Sequence, residues 1–154
     1  MKIHIVAPGK VKEKWMMEGI AEYRKRLSRY CEVEITEVAD ASDQLPRETA
    51  LAKEGEKILA QIKETAYVWV MDLAGKMTGS EEFSRELMKA FEKGGAEVIC
   101  VIGGSNGLSP EVIARADQRI CLSSMTFTHQ MTRLILLEQC YRAFRIERGE
   151  PYHK

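Results

Sequence analysis

Short apolar runs alternate with amphipathic segments along the whole chain of 154 residues. The segments between the runs place apolar residues at helical spacing, which predicts amphipathic helices. Strands that alternate with helices favour a mostly parallel sheet with helices on both faces. We therefore expect a single α/β domain over residues 1–154. The predicted strands are 2–7, 31–36, 67–71, 97–102 and 119–122, and the predicted helices begin near residues 12, 47, 80, 109 and 129.

The predicted strands differ in polarity. Residues 97–102 form the most apolar run, which predicts the centre of the sheet. Residues 31–36 alternate apolar and polar side chains, which predicts a half-buried strand near an edge. Two serines precede predicted helices: Ser80 is followed by two glutamates, and Ser109 is followed by Pro110. Both serines are expected to be N-caps.

The composition describes a folded protein with an uneven distribution of charge. Hydrophobic residues make up 45% of the chain and charged residues 30%, so disorder is not expected. The 23 basic residues balance the 23 acidic ones, which excludes a uniformly basic surface. Residues 10–29 nevertheless carry seven basic and three acidic groups, whereas residues 32–64 carry four basic and nine acidic groups. A polyanion is therefore expected to meet one face of the protein only.

Cysteine and histidine spacing gives no metal-binding pattern, so no metal site is expected. The chain has no secretory apolar segment at its start and no apolar run near the 20 or so residues that span a bilayer. We therefore expect a cytoplasmic protein with no membrane contact. Its four separated cysteines are expected to be reduced thiols: Cys31, Cys100, Cys121 and Cys140.

Three loops follow predicted strands and are expected to lie side by side. They are Met71–Lys76, Gly103–Gly107 and Leu122–Thr128. Ligands of open parallel sheets bind beyond the carboxyl ends of the strands. These loops are therefore candidate walls of a ligand site.

Two of these loops allow a functional and a purely structural interpretation. The Gly103–Gly107 segment lets backbone N–H groups approach a ligand, yet it lacks the lysine of a phosphate-binding P-loop and also fits a tight turn. The segment 122–129 offers backbone groups for an adenine edge, with Met125 and Phe127 as apolar surface. It also fits a helix N-terminus capped by Thr126 or Thr128.

The last helix and the tail also allow two interpretations. The helix is apolar on more than one stripe, which predicts burial in the chain or contact with a second subunit, and a homodimer is expected. Arg142 lies among its apolar residues. The chain ends in Tyr152-His153-Lys154, and histidine suits proton transfer near neutrality. A frayed end is the alternative.

Four blocks together resemble one known family: Gly103–Ser109, Ser124–Gln130, Glu138–Phe144 and Tyr152–Lys154. Their order and content resemble the SPOUT-class ribosomal large subunit methyltransferase H family, the 23S rRNA (pseudouridine-1915-N3)-methyltransferases. The similarity extends over essentially the whole chain.

That resemblance implies a C-terminal deep trefoil knot, a homodimer and the cofactor S-adenosylmethionine (SAM). It also implies a pseudouridine substrate in 23S rRNA within the ribosome, methylated at N3. A base in an RNA loop is splayed out more cheaply than one in a duplex. The residues that the resemblance assigns to the cofactor are Met71, Gly103, Leu122, Ser123, Ser124, Met125, Thr126 and Phe127.

Catalytic roles follow from the chemistry that the resemblance implies. The imide N3 must lose its proton while negative charge spreads to the neighbouring carbonyl oxygens. Arg142 is expected to stabilise this charge, and His153 with Tyr152 is expected to orient the base or accept the proton. Other functions stay open: a SPOUT methyltransferase acting on tRNA, a non-enzymatic ribosome-associated RNA-binding module, or a nucleotide-binding protein that uses the glycine loop.

Overall fold

A computed structural model describes all 154 residues. Strands and helices alternate along the chain, as the sequence predicts. The elements are β1 (Lys2–Pro8), α1 (Lys14–Leu27), β2 (Glu32–Val38), α2 (Arg47–Leu59), β3 (Tyr67–Met77), α3 (Ser80–Lys93), β4 (Glu97–Ile102), α4 (Pro110–Arg115), β5 (Gln118–Cys121) and α5 (His129–Glu147).

The five strands form one parallel sheet in the order β2-β1-β4-β3-β5. This confirms the α/β prediction. It also confirms that the apolar β4 is central and that the alternating β2 is an edge strand. The deep trefoil knot that the family resemblance implies stays a prediction.

Each face of the sheet carries its own hydrophobic core. One core packs α1, α3 and α5 against the sheet, and Trp69 and Phe144 are fully buried in it. The other packs α2 and α4 against the opposite face, around Val70 and Val101. Because both faces are covered, the central strands contain hydrophobic residues in succession rather than in alternation.

The structure corrects the prediction for the third strand, which was expected to end at Met71. In the structure β3 continues to Met77, and both Met71 and Lys76 lie opposite Ile120 of β5. The register with β5 shifts between these two residues, and the segment that joins them is largely exposed, so it lacks the apolar pattern of a strand. A side chain at Gly75 would place its Cβ 2.7 Å from the Arg119 backbone carbon, which explains the glycine there.

The N-cap predictions have different outcomes. Ser109 caps α4 as predicted, because its hydroxyl accepts a hydrogen bond from the Val112 N–H at 3.3 Å. The prediction for Ser80 is wrong, since Gly79 occupies the N-cap position of α3. The Ser80 hydroxyl instead donates to Gln139 Oε1 of α5 at 2.9 Å.

Other sequence features have simple structural counterparts. All four cysteines are buried and free, and burial raises the pKa of Cys31 and of Cys100 to about 12. No three metal-ligating side chains are grouped as a metal site would require. None of the helices is both long enough and apolar enough to cross a membrane.

Candidate functional site

A cavity of about 330 Å³ lies at the carboxyl ends of β3, β4 and β5. Its size is within the range of small-molecule sites. The three loops predicted to lie side by side form its walls. Of the eight predicted cofactor residues, seven line the cavity: Met71, Gly103, Leu122, Ser123, Met125, Thr126 and Phe127. The eighth, Ser124, is exposed and is not among the lining residues.

The cavity has an apolar part and a polar part. The apolar part includes the side chains of Ile102, Ile113 and Ile120, which the strands and α4 supply. Sequence reasoning assigned no role to most of the polar side chains, although Asp72, Asn106 and His129 lie in segments that the sequence analysis singled out. These polar residues are Arg47, Asp72, Asn106, His129 and Thr132.

The Gly103–Gly107 loop is a tight turn that also lines the cavity. Its Gly107 N–H donates to the Gly104 carbonyl at 3.0 Å, and Gly107 has a φ of 87°, which favours glycine. A Cβ on Gly103 would lie 2.6 Å from the Gly107 carbonyl oxygen. The turn therefore has no room for a side chain at Gly103, and its backbone forms the cavity wall.

The Leu122–Thr128 loop is held mainly by its own hydrogen bonds. The Ser123 hydroxyl accepts from the Met125 N–H at 3.0 Å, and the Thr128 hydroxyl caps α5 by accepting from the Met131 N–H at 3.2 Å. The capping prediction is thus confirmed for Thr128. Met125 stays 71% exposed and Phe127 37% exposed, so apolar surface lies at the cavity mouth.

Most charged groups near the cavity are either paired with an opposite charge or have a shifted pKa. Asp72 forms an ion pair with Arg119 of β5. Burial, helped by the positive charge of Arg133, lowers the pKa of His129, which favours the neutral imidazole. Burial and the neighbouring Asp40 raise the pKa of Glu54, which faces the glycine turn from α2.

A buried arginine anchors the helix that follows the cavity loop. Arg133 of α5 is 0% exposed and donates to the Pro8 and Gly9 carbonyls at 2.7 and 2.9 Å. It also forms an ion pair with Glu37 of β2 at 3.1 Å. These bonds tie α5 to the carboxyl ends of β1 and β2. The sequence does not single out Arg133 for this role, because the helix contains three arginines.

The three predicted catalytic residues, Arg142, Tyr152 and His153, lie together in a second group. With Glu138, which bonds to two of them, they are here called the tail cluster. Glu138 Oε1 accepts from Arg142 Nη2 at 2.6 Å and from the Tyr152 hydroxyl at 3.1 Å. The Arg142 guanidinium lies 4.7 Å from the centre of the Tyr152 ring. Arg142 Nη1 is 3.4 Å from His153 Nδ1. Sequence reasoning did not assign Glu138 a role, although the glutamate precedes Arg142 by one helical turn.

The tail is docked on α5 rather than frayed. Arg145 donates to the Pro151 carbonyl at 2.9 Å and pairs with Glu150 at 2.5 Å. The Tyr152 ring packs edge-on against Tyr141, with 4.9 Å between the ring centres. Burial raises the pKa of Tyr152, and the bond to Glu138 raises the pKa of Arg142. The phenol therefore stays protonated and the guanidinium stays charged.

The tail cluster and the cavity are separate within one chain. None of Glu138, Arg142, Tyr152 or His153 lines the cavity. His153 instead faces the start of α3, where its Nε2 lies 4.0 Å from Glu81. The predicted site residues thus form two groups rather than one.

Comparisons with known proteins point to one family. The family model described as Predicted SPOUT methyltransferase matches residues 1–153. Curated relatives bear the name Ribosomal RNA large subunit methyltransferase H, and the alignments cover 100% of this chain and of each relative. Identity is 50% for the relative from Clostridioides difficile, 49% for Clostridium acetobutylicum and 48% for Limosilactobacillus reuteri.

Solved structures share the fold. A probable methylase family protein from Haemophilus influenzae Rd KW20 matches with a TM-score of 0.57 and 14% identity, over 99% of this chain and 70% of that chain. A methyltransferase candidate from Legionella pneumophila, in complex with the bound cofactor SAM, matches with a TM-score of 0.50 and 13% identity. That match covers 94% of this chain and 66% of the other.

Proposed function

Because the chain belongs to the SPOUT methyltransferase family, we propose that it transfers the methyl group of SAM to large-subunit ribosomal RNA. The acceptor in this proposal is N3 of the pseudouridine at position 1915 of 23S rRNA, within the ribosome and in the cytoplasm. One observation supports it most: the loops after β3, β4 and β5 enclose a single cavity.

The residues of the cavity fit a cofactor that has an apolar and a polar part. Isoleucine side chains suit the faces of an adenine ring, and the backbone of the glycine turn and of the 122–128 loop suits its polar edge. When bound, SAM supplies a methyl group already activated by a sulfonium centre. The residues that would hold it are Met71, Gly103 and the segment 122–127.

The chain's own residues must then handle the acceptor. Its N3 carries a proton and is a poor nucleophile until that proton leaves. In the proposed site Arg142 stabilises negative charge on the carbonyl oxygens beside N3, because its guanidinium remains charged. His153 orients the base or accepts the proton. Tyr152 holds the tail and does not act as a base, since burial raises its pKa.

We further propose that the protein is a homodimer and that the tail cluster of one protomer meets the cavity of its partner. The separation of the two groups within one chain supports this arrangement. Exposed apolar side chains around the cavity mouth also support it, because such patches favour a partner surface. They include Leu73 and Met125, which are 59% and 71% exposed.

The function is tested by methyl transfer from tritiated SAM to purified ribosomes that lack the modification. Mass spectrometry of the rRNA then locates the methyl group. Transfer to N3 of the pseudouridine is expected, and transfer to tRNA alone would instead identify a tRNA methyltransferase. Calorimetry with SAM, S-adenosylhomocysteine (SAH) and ATP forms the second arm. Binding of ATP but of neither methionine derivative would contradict a methyltransferase.

A further inference from the structure

Helix α2 lies directly against the glycine turn of the cavity. A Cβ on Gly55 would lie 2.4 Å from the Ser109 hydroxyl oxygen, so the helix approaches the start of α4 closely. A Cβ on Gly104 would lie 3.1 and 3.2 Å from the two carboxylate oxygens of Glu54. The glutamate therefore packs against the turn, and α2 is fixed relative to the cavity by close contacts.

Arg47 reaches the cavity from the first turn of this helix. Positions 47 and 54 are two helical turns apart and lie on the same face of α2. Arg47 Nη2 donates to the Asn106 carbonyl at 3.3 Å, and the side chain lines the cavity. It forms no ion pair with a carboxylate, whereas the other arginine beside the cavity, Arg119, is paired with Asp72.

The charges of the cavity wall leave Arg47 as its one uncompensated cation. The wall contains no lysine, and the lowered pKa of His129 favours a neutral imidazole. SAM carries positive charge on its sulfonium and on its ammonium group. An unpaired guanidinium on the wall would repel the sulfonium and the ammonium group. Arg47 therefore favours SAM binding only if it contacts the one negative group of the cofactor, the carboxylate.

We propose that Arg47 binds the α-carboxylate of the methionine part of the cofactor. This inference rests on the proposed function, since it assumes that SAM occupies the cavity. The guanidinium presents several N–H donors in a planar fork that matches a carboxylate. The bond to the Asn106 carbonyl keeps this fork at the glycine turn. Arg47 is thus a binding residue that selects the amino-acid end of the ligand.

Two ligands separate this role from a general structural one. SAH contains the carboxylate, and 5′-methylthioadenosine lacks the whole amino-acid part. Isothermal titration calorimetry would compare both ligands on the wild-type chain and on Arg47→Gln. The matched control is Arg85→Gln, which removes an exposed arginine from α3, on the opposite face of the sheet.

We expect Arg47→Gln to weaken the affinity for SAH by about 10-fold, because a hydrogen bond to a charged group is lost at a partly solvated site. Methylthioadenosine should bind the variant within about 2-fold of the wild type, and Arg85→Gln should change neither ligand. Arg47→Lys should recover part of the SAH affinity, since it restores the charge without the fork.

Two results would overturn the inference. Equal weakening of both ligands would mean that Arg47 only supports the glycine turn through Asn106. Unchanged SAH affinity, together with a raised KM for ribosomes, would mean that the arginine meets an RNA phosphate. The measurement on the wild-type chain tests the proposed function separately from the variants. Binding of neither compound by the wild type would contradict that function itself.

Discussion

The cavity and the tail cluster differ in whether backbone or side chains form most of the site. The cavity is formed by turns and backbone at the ends of a buried parallel sheet, with close contacts that leave no room for a Cβ on Gly103. The tail cluster is formed by side chains of α5 and of the residues that follow it, joined by charged hydrogen bonds and by an arginine–aromatic contact.

This difference implies different sensitivities to mutation. Where backbone forms the cavity wall, a small added group is enough to alter the site, because it changes the course of the chain. A site made of side chains is dismantled one interaction at a time, and the size of each loss reports the role of the group removed. The cavity should therefore govern ligand affinity and the tail cluster the rate of methyl transfer.

Removing Tyr152, His153 and Lys154 is the most severe test of that separation. We expect methyl transfer to ribosomes to fall by about 10²- to 10⁴-fold, the usual contribution of a positioned acid–base group. SAH affinity should be unchanged, because no tail residue lines the cavity of its own chain and the proposed role of the tail is toward the acceptor base. Rates come from tritium incorporation and affinity from calorimetry.

The single variant His153→Ala identifies which part of the tail is responsible. If the imidazole handles the proton, this variant should lose nearly as much activity as the deletion. A small loss that excess ribosome relieves would instead assign the tail to RNA docking. Full activity of the truncated protein would remove the tail from the mechanism.

Gly103→Ala tests the cavity, where the expected loss is in ligand affinity rather than in the rate of methyl transfer. The added Cβ would lie 2.6 Å from the Gly107 carbonyl oxygen, so the turn must shift. We expect SAH affinity to fall by about 10- to 100-fold, which corresponds to the usual cost of overpacking. Gly79→Ala is the matched control, since nothing lies within 4 Å of a Cβ at that position. Equal affinities for the two variants would show that the turn does not shape the ligand site.

Glu138→Gln probes how the tail cluster is held. The substitution keeps the shape but removes the charge that Arg142 and the Tyr152 hydroxyl share. We expect kcat to fall by about 10-fold with no change in SAH affinity, because charge-assisted hydrogen bonds are about twice as strong as neutral ones. Glu147→Gln, on the exposed end of the same helix, should have wild-type activity. A change in SAH affinity would mean that the tail cluster also shapes a ligand cavity, of its own chain or of the partner.

The cavity was predictable from the sequence because strand order alone determines where loops meet. The β-branched runs and the glycine turn were enough to bring Met71, Gly103 and Leu122 together, since parallel strands share one carboxyl edge. The extension of β3 to Met77 was not predictable, because a bulged segment of exposed residues has no period of two.

The polar contacts were much less predictable than the loops. Arg133 and Glu37 are far apart in the sequence, and nothing local indicates that the arginine is buried against β1 and β2. The position of Arg47 in the cavity depends on how α2 packs on the glycine turn. Such pairings are set by tertiary packing, whereas the loops are set by chain topology.

Tyr152→Phe is expected to have the smallest effect on methyl transfer. It also distinguishes the phenol from His153 as the proton acceptor. It removes the hydroxyl that donates to Glu138, yet it keeps the ring that packs on Tyr141 and under Arg142. The lost bond is donated to a carboxylate, but Glu138 keeps its bond to Arg142, so a 2- to 5-fold loss of methyl transfer is expected. Tyr67→Phe in β3 is the control, because this tyrosine is also half-buried and its ring lies against Lys93 of α3 rather than in the tail cluster. Because burial raises the pKa of Tyr152, its phenolate is not available to accept the proton. A loss as large as that of the deletion would contradict this reasoning and would transfer the role of proton acceptor from His153 to the phenol.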